Sequence, residues 1–527
     1  MNFLLVAVSA FFYVISFPFW NVAFAAFFAL VPLFWAVENA RSIFRAMGYG
    51  ALWGLLVSAG MGYWLFPALI DHFGVRTHNA ALFFLLGVAG PTCLIYAGTF
   101  AVYRFLHHGH LAWYALVVPA MWTLAEYVKE VVPFLVPWGG IGYAALPFHR
   151  FVQVADLGGI YGLTALIVMV NAVAWYIVRR VPWIDAAPGS AWQSIRRRPK
   201  IRYAPFALLI LTFCLPTAYG AFRLHWLDAQ IEGKTAAELP VQAVLVQGNF
   251  DLDERWSGMG FHRRLKTYLE MSAKDPETVV AGGGHAAKMR GQVIVWPETT
   301  LNEPAHLSDS LFRQIMAVLG DEALLVSGGV NLDSDTGRVT NCAYLVSGEG
   351  TLTRYDKHIL LPYAETVMMF DWLGPYATAP REFSPGRTPP WMDTRHGRMG
   401  MSICFEILYP GYIARAVGSG AVFLVNMSND AWFGDSPMPY MHLNAARMRA
   451  IENRRFLLRA ANSGISAVIN PDGRIASQTS LFQRQAIDGD FVSLDAMSPY
   501  TRLGNWPVLF SLFVLGGVLL RIVLKKG

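Results

Sequence analysis

Long apolar segments are the feature that most constrains how this chain can fold. Several of them approach the roughly 20 residues that a helix needs to cross a bilayer. Charged residues make up only 15% of the 527 residues, so this much apolar sequence cannot all be buried in one soluble core. The sequence therefore predicts an α-helical transmembrane bundle of eight spans, approximately over residues 3–17, 22–37, 48–69, 80–105, 113–128, 160–178, 205–222 and 506–524.

Basic residues predict the orientation of these spans. They cluster between residues 179 and 202, at Arg41 and Arg45, and at Lys525 and Lys526. With eight spans the three clusters lie on one side, which the positive-inside bias makes cytoplasmic. We expect both termini there, and a first span rather than a cleaved signal peptide, since no basic residue precedes it. The orientation thus accounts for the net positive charge of the chain. A nucleic-acid partner is not indicated, because no base-stacking aromatic residues interleave with the arginines.

The region between about residues 241 and 494 has a different pattern. Short β-branched runs alternate with helical patches, which is typical of an α/β fold. We expect three parts: an N-terminal transmembrane domain of seven helices over 1–224, an outer catalytic domain over 225–503, and a C-terminal transmembrane helix over 504–527. No spacing among the four cysteines or the histidines indicates a metal site, and a disulfide between Cys342 and Cys404 is neither supported nor excluded.

An apolar loop over residues 133–143 stands out between the fifth and sixth segments. Its prolines and glycines argue against a regular helix. One interpretation is a re-entrant or interfacial connector, with Trp138 and Tyr143 in the aromatic belt. The other is part of a lipid-entry site that these two side chains line, and the two interpretations are compatible.

Three short segments of the outer region carry reactive side chains at the ends of expected strands. They are residues 293–298, ending in Glu298, residues 355–357, ending in Lys357, and residues 401–406, which contain Cys404. Taken singly, each has a plainer explanation. The cysteine can be an inert packed thiol, the glutamate a helix cap and the lysine a surface charge.

The order of Glu, Lys and Cys across one α/β domain resembles the nitrilase superfamily, and the flanking motifs resemble its membrane branch, the apolipoprotein N-acyltransferases. That family also has eight spans around an outward domain with an α-β-β-α sandwich. The resemblance covers nearly the whole chain. The motifs that carry it are Gln247–Asn249, Trp296–Thr299, Ser428–Gly434, His442–Leu443, Ala445–Ala450 and Arg459–Gly464.

The resemblance implies a role for each reactive group, and physical chemistry is consistent with it. Cys404 would be the nucleophile, because a thiolate attacks esters well and a thioester stays reactive to amines. Glu298 would take the thiol proton and return it to the leaving alkoxide. Lys357 and the backbone N–H of Phe405 would stabilise the oxyanion, and the lysine charge would favour the thiolate. No metal or other cofactor is required.

Two further carboxylates follow these motifs. By resemblance, Glu365 supports the lysine or the second proton transfer, and Glu406 organises the nucleophile loop; a structural ion pair is the alternative for each. The chain departs from the family pattern at residues 363–367, where Ala364 replaces a glycine and no proline follows. That departure puts the loop geometry in question. Trp432 and Phe433 either line the acyl pocket or belong to the core.

The implied activity is acyl transfer at a membrane. The donor would be a phospholipid, expected to be phosphatidylethanolamine, and the acceptor the α-amine of a diacylglyceryl-cysteine lipoprotein. We expect a monomer in the bacterial inner membrane with its catalytic domain on the periplasmic side. Two rivals stay open. One is a membrane-anchored amidase, which would need neither the apolar loop nor the full set of spans. The other is a non-catalytic lipoprotein-binding homologue, which would not need the intact trio.

Overall fold

The structure is a computed structural model of the chain. It describes all residues except 73, 133–134, 181–202, 238–239, 252–259, 273–291, 304–306, 321, 349, 363, 366–382 and 527. Most of the basic cluster between residues 179 and 202 therefore lies outside the described residues. The chain divides into two compact units. An apolar unit contains Met1–Tyr63, Ala81–Arg223 and Asn505–Gly527, and a second unit contains Trp64–Ala80 and Leu224–Gly504.

Long apolar helices dominate the first unit. Four helices are long and apolar enough to cross a membrane: Thr77–Leu106, Ala155–Val178, Ala204–Thr235 and Trp506–Leu524. A fifth candidate joins Ile43–Gly62 to Leu65–Asp71 across a bend of 66°. The remaining helices are shorter or carry more charge: Asn2–Ile15, Val31–Glu38, Val118–Val131 and His149–Val152. These helices indicate a membrane protein, and the number of eight spans stays a prediction.

Two buried charged side chains fasten the loop that follows Val131. Glu126 accepts a hydrogen bond from the backbone N–H of Ile141 at 2.9 Å, and Lys129 donates one to the carbonyl of Trp138 at 3.2 Å. The hydroxyl of Tyr13 donates to the carbonyl of Gly139 at 2.6 Å. Residues 135–140 form no regular helix. Hydrogen bonds from these side chains take the place of some of the backbone hydrogen bonds that a helix would make.

The second unit is built on two six-stranded sheets. In chain order the strands of the first sheet begin with β1 (Val241–Gln247), β2 (Val293–Leu301), β3 (Leu324–Leu332), β4 (Val339–Ser347) and β5 (Gly350–Asp356). The second sheet contains β6 (Trp391–Thr394), β7 (Gly397–Ile403), β8 (Phe423–Ser428), β9 (Leu457–Ala461), β10 (Ala467–Ile469) and β11 (Ile475–Gln478). Strand β12 (Gln485–Phe491) returns to the first sheet.

Strand order places parallel strands at the centre of each sheet. The first sheet has the order β12-β1-β2-β3-β4-β5 and the second β11-β10-β9-β8-β7-β6. Pairing is parallel from β1 to β3 and from β7 to β9, and antiparallel elsewhere. The parallel strands are almost fully buried because both of their faces are covered.

Four layers result, because helices cover the outer face of each sheet. Helices Phe261–Ser272 and Asp309–Leu319 pack on the first sheet and form one hydrophobic core with it. Helices Pro410–Gly418 and Met438–Asn453 pack on the second. Strands β1 and β2 contact β8 and β9, so the two sheets face each other. The result is an α-β-β-α sandwich, as expected from the sequence.

Candidate active site

Glu298, Lys357 and Cys404 all lie at or near the carboxyl ends of strands. Such ends, outside the sheet, are where α/β folds place their ligand sites. Lys357 follows the last residue of β5, and Cys404 follows the last residue of β7. Glu298 lies in β2, where pairing with β3 becomes irregular. The neighbouring strand comes very close at that point, since a Cβ on Gly328 would lie 2.6 Å from the Cα of Glu298.

A network of hydrogen bonds joins the two carboxylates and the lysine. The Nζ of Lys357 lies 3.4 Å from Oε1 of Glu298 and 2.8 Å from Oε2 of Glu365. The amide of Asn341 on β4 donates to both carboxylates, at 2.7 Å to Glu298 and 2.9 Å to Glu365. The second oxygen of Glu298 accepts the backbone N–H of Asn429 at 2.9 Å. This network fixes the direction in which each charged group points.

The charges around Lys357 keep it protonated. Its side chain is 1% exposed, and burial alone would lower its pKa. The charges of Glu365 and Glu298 outweigh burial and raise the pKa of Lys357 above its usual value. The ammonium group is therefore a fixed positive charge in a buried site. There it can strongly stabilise negative charge that develops on the oxygen of a reacting carbonyl group.

The thiol of Cys404 is a neutral group at rest. Burial, and then the negative charge of Glu298, raise its pKa to about 12. Lys357 acts in the opposite direction but does not outweigh them, so the expected lysine effect on the thiolate is present and is the smaller contribution. A thiol beside a carboxylate needs a proton acceptor when it attacks, and Glu298 is the carboxylate that acts on it most strongly.

Glu406 connects the backbone beside Cys404 to the segment around Lys357. It accepts the backbone N–H of Ile403 at 2.8 Å and the hydroxyl of Tyr355 at 2.5 Å. On the other side it accepts the backbone N–H groups of His358 and Ile359, at 2.7 and 3.0 Å. Burial raises the pKa of the Glu406 carboxyl, and the hydrogen bonds oppose that shift because they stabilise the carboxylate.

The loop with the unusual alanine holds Glu365 by its own backbone. Glu365 accepts the N–H of Leu361 through Oε2 at 2.8 Å, and its N–H donates to the Leu361 carbonyl at 3.0 Å. Among the described residues with positive φ, Ala364 does not appear, so its Cβ imposes no left-handed strain. The missing glycine therefore leaves the placement of Glu365 intact. Tyr363 and residues 366–367 lie outside the described residues.

The aromatic candidates for substrate binding fall in different units. Phe433 is buried in the second unit, with its ring edge-to-face on Trp64 at 5.0 Å and 6.1 Å from the ring of His442. Trp432 is half-buried beside it. Trp138 is a half-buried residue of the fastened loop in the apolar unit, and Tyr143 lies in the 3-10 turn that follows that loop.

No individual role was predicted from the sequence for several polar residues near the site. Asn341 is one of several polar residues in the buried strand β4, and nothing in its spacing indicates that it joins two glutamates. A second cluster contains Asp430, His442 and Arg459, all of them 1% exposed or less. These three residues lie in the motifs that carry the family resemblance, but they belong to a turn, a helix and a strand, and no single motif indicates that their side chains meet.

Comparisons with known proteins match both parts of the chain. Residues 245–495 match the family described as carbon-nitrogen hydrolase, and residues 9–173 match the apolipoprotein N-acyltransferase N-terminal domain. The apolipoprotein N-acyltransferase of Geobacter metallireducens is 29% identical over 521 residues, which cover 96% of this chain and 92% of that protein. That of Allorhizobium ampelinum is 29% identical over 476 residues, covering 86% of this chain and 83% of its own.

Solved structures of the nitrilase superfamily are similar to part of the chain. One of them is Saccharomyces cerevisiae Nit3, a member of branch 10 of that superfamily. The superposition covers 50% of this chain and 93% of the Nit3 chain, with a TM-score of 0.36 and 18% sequence identity.

Proposed function

Because this chain belongs to the apolipoprotein N-acyltransferase family, we propose that it transfers a fatty acyl chain from a phospholipid to the N-terminal amine of lipoproteins. The observation that carries the proposal is the buried thiol of Cys404, on which the charges of Glu298 and Lys357 both act, together with the 3.4 Å distance between those two groups. Acyl transfer needs these three functions: a nucleophile, a proton carrier and a charge that stabilises an oxyanion.

The first half-reaction forms a thioester. The sulfur of Cys404 attacks the sn-1 ester carbonyl of the phospholipid, for which we propose phosphatidylethanolamine, while Glu298 takes the thiol proton. The carbonyl oxygen becomes an oxyanion beside Lys357 and the backbone N–H of Phe405. Collapse of the tetrahedral intermediate breaks the carbon–oxygen bond, and Glu298 returns the proton to the departing alkoxide. The products are a lysophospholipid and an acyl-enzyme.

The second half-reaction moves the acyl chain to nitrogen. Glu298 accepts the proton of the diacylglyceryl-cysteine ammonium group, and the neutral amine attacks the thioester carbon. The same two donors hold the second oxyanion. Glu298 passes this first proton to water, and it then takes a second proton from the nitrogen of the tetrahedral intermediate. When the carbon–sulfur bond breaks, Glu298 gives that second proton to the thiolate of Cys404, and the product is a triacylated lipoprotein. Two separate substrates that meet one covalent intermediate predict ping-pong kinetics.

The supporting carboxylates act through their neighbours in this scheme. Glu365 and Asn341 hold Lys357 and Glu298 in one arrangement. Glu406 fixes the backbone on both sides of the pocket, because its four donors come from the nucleophile loop and the lysine segment. We propose that both glutamates are positioning residues, and that proton transfer belongs to Glu298.

We further propose the membrane arrangement that the sequence predicts. The chain would cross the bacterial inner membrane eight times, with both termini in the cytoplasm and the catalytic domain on the periplasmic side. Its parts would be residues 1–224, 225–503 and 504–527, and it would act as a monomer. Trp138 and Tyr143 would contact the lipid substrates, and Trp432 and Phe433 would contact the acyl chain.

Mass spectrometry of the purified protein tests the proposal. After incubation with phospholipid, one fatty acyl group should be found on Cys404 and should disappear when a diacylated lipopeptide is added. Cys404→Ala should form no adduct. Cys214→Ala is the matched control, since that cysteine lies exposed on an apolar helix, and it should acylate normally. An adduct that is lost only as free fatty acid would identify a hydrolase, and no adduct at all would indicate a binding protein.

A further inference from the structure

The nucleophile has a backbone conformation that side chains disfavour. Cys404 has a φ of 52°, in the left-handed region where few residues other than glycine are found. A conformation of this kind persists only where surrounding contacts hold it. Cys404 is also the first residue of a 3-10 turn, Cys404–Leu408, at the end of β7. The contacts of its own peptide group therefore decide how the sulfur and the next N–H are aimed.

His442 holds the carbonyl of Cys404. The Nε2 atom of this histidine lies 3.1 Å from that carbonyl oxygen, and the side chain is fully buried in the helix Met438–Asn453. A carbonyl oxygen can only accept a hydrogen bond, so Nε2 carries the proton. This assignment is the same for a neutral imidazole and for an imidazolium.

A buried cluster fixes the imidazole ring in turn. Oδ1 of Asp430 lies 3.0 Å from Nδ1 of His442, and the same oxygen accepts the hydroxyl of Ser428 at 2.7 Å. Arg459 donates to Oδ2 of Asp430 at 2.8 Å and lies 3.1 Å from Nδ1. The close approach of the chain at Gly464 allows this, since a Cβ there would lie 2.3 Å from Oδ2 of Asp430.

The planarity of the peptide bond connects this cluster to the reaction. The carbonyl of Cys404 and the N–H of Phe405 belong to one trans peptide unit, and they point in opposite directions. A donor that fixes the carbonyl on one side also fixes the direction of the N–H on the other. We propose that His442 is a positioning residue that aims the Phe405 N–H at the oxyanion. The inference rests on the proposed acyl transfer, in which that N–H is one of the two donors.

Two reactions of Cys404 separate this role from a purely structural one. Attack on an ester forms an oxyanion, which needs the aimed N–H. Alkylation by iodoacetamide is a displacement at carbon in which a carbon–sulfur bond forms, iodide leaves and the thiol proton is lost, so no oxyanion appears. Removal of the His442 donor should slow the first reaction and leave the second nearly unchanged. A side chain that merely supports the fold would affect both.

The experiment compares His442→Leu and His442→Gln with the unchanged chain. His442→Leu should form the acyl-enzyme from phospholipid more slowly by about 100-fold, the lower range for loss of one oxyanion donor. Its alkylation by iodoacetamide should change by less than about threefold, since no oxyanion forms. His442→Gln still offers an N–H at about the same reach, and we expect it to retain acylation within roughly tenfold of the unchanged chain.

Controls make each outcome decisive. Met448→Leu lies on the same helix and is equally buried, and it should alter neither reaction. Normal acylation by His442→Leu, or a parallel loss of both reactions in a variant that still folds, would overturn the inference. If His442→Leu does not fold, the glutamine variant decides, and a loss beyond 100-fold there would refute the positioning role. Absence of an acyl-enzyme in the unchanged chain would refute the proposed function itself.

Discussion

The two units each bury a glutamate and a lysine, and they use them differently. In the apolar unit Glu126 and Lys129 lie on one helix and bind the backbone of the loop at Ile141 and Trp138. In the second unit Lys357 pairs directly with Glu298, at 3.4 Å. The charges of Glu126 and Lys129 bind backbone groups and so hold the loop in place. Charges that face each other beside a thiol are available for chemistry.

The same difference appears in where the residues originate. Glu126 and Lys129 are three positions apart on the helix Val118–Val131, so local structure places them together. Glu298 and Lys357 come from different strands of a sheet, and Cys404 comes from the facing sheet. Because these three residues come from distant segments, their side chains come together only when the whole unit is folded. The comparison therefore predicts that equivalent substitutions in the two units will have unequal effects.

The largest difference is expected for the two glutamates. Glu298→Gln removes the proposed proton carrier and should slow acyl-enzyme formation by about 10²- to 10⁴-fold. Glu126→Gln should leave acylation unchanged at saturating phospholipid and instead lower stability, on the order of 1.5–3 kcal/mol for weakened hydrogen bonds to a charged group. Single-turnover acylation followed by mass spectrometry measures the first effect and thermal unfolding the second. Equal slowing by the two variants would erase the distinction.

The two lysines should differ in stability. Lys357→Met leaves the carboxylates of Glu298 and Glu365 buried without their cation, and should cost about 3–5 kcal/mol. Lys129→Met removes one hydrogen bond to a carbonyl and should cost about 1 kcal/mol. Both midpoints can be compared by denaturant unfolding in the same detergent. If Lys129→Met lowered the free energy of unfolding as much as Lys357→Met does, Lys129 would also have to form an ion pair that stabilises the fold.

The pH dependence of alkylation should sharpen the comparison further. Because the pKa of Cys404 is raised to about 12, the thiol form dominates at neutral pH and the thiolate grows as pH rises. Alkylation by iodoacetamide should increase roughly tenfold per pH unit from pH 7 to 10, without a plateau. Lys129→Met should leave this profile unchanged, whereas Lys357→Met should slow alkylation at each pH. A plateau near pH 7 would show a resting thiolate instead.

The smallest effect is expected at the departure from the family pattern. Ala364→Gly restores the family residue, but Ala364 has no positive φ that would require it. Acylation should change by less than about twofold, and stability should fall by about 0.4–1 kcal/mol because glycine gives the unfolded chain more freedom. Enzyme assays and thermal unfolding of this one variant measure both quantities. A large gain in activity would show that the loop is strained after all.

Much of the architecture could be predicted from the sequence. The apolar segments coincide with helices of the first unit, and the strands of the parallel core, such as β1 and β8, lie close to the runs of β-branched residues that predicted them. Parallel strands are buried on both faces, so their sequences are recognisably apolar. Two of the reactive residues belong to this parallel core, since Glu298 lies in β2 and Cys404 follows β7, whereas Lys357 follows the antiparallel edge strand β5.

Edge strands and the buried polar cluster could not be predicted in this way. β12 alternates half-buried and exposed residues at the edge of its sheet, so it has no continuous apolar run that would predict a strand. β9 contains no β-branched residue, and the fully buried Arg459 interrupts its apolar run, so the pattern that indicates the other buried strands is missing there. Asn341 and His442 acquire their contacts only through the packing of distant elements, and no local pattern carries that information.

The composition of the second unit has a practical consequence for protein engineering. Trp64–Ala80 precedes most of the apolar helices in sequence, yet it belongs to the same compact unit as Leu224–Gly504, and Trp64 packs on Phe433. Truncation to the second stretch alone would discard one side of that packing and uncover an aromatic surface prone to aggregation. During synthesis, the early segment must also wait until its late partner has left the ribosome, so folding of this unit finishes only near the end of translation.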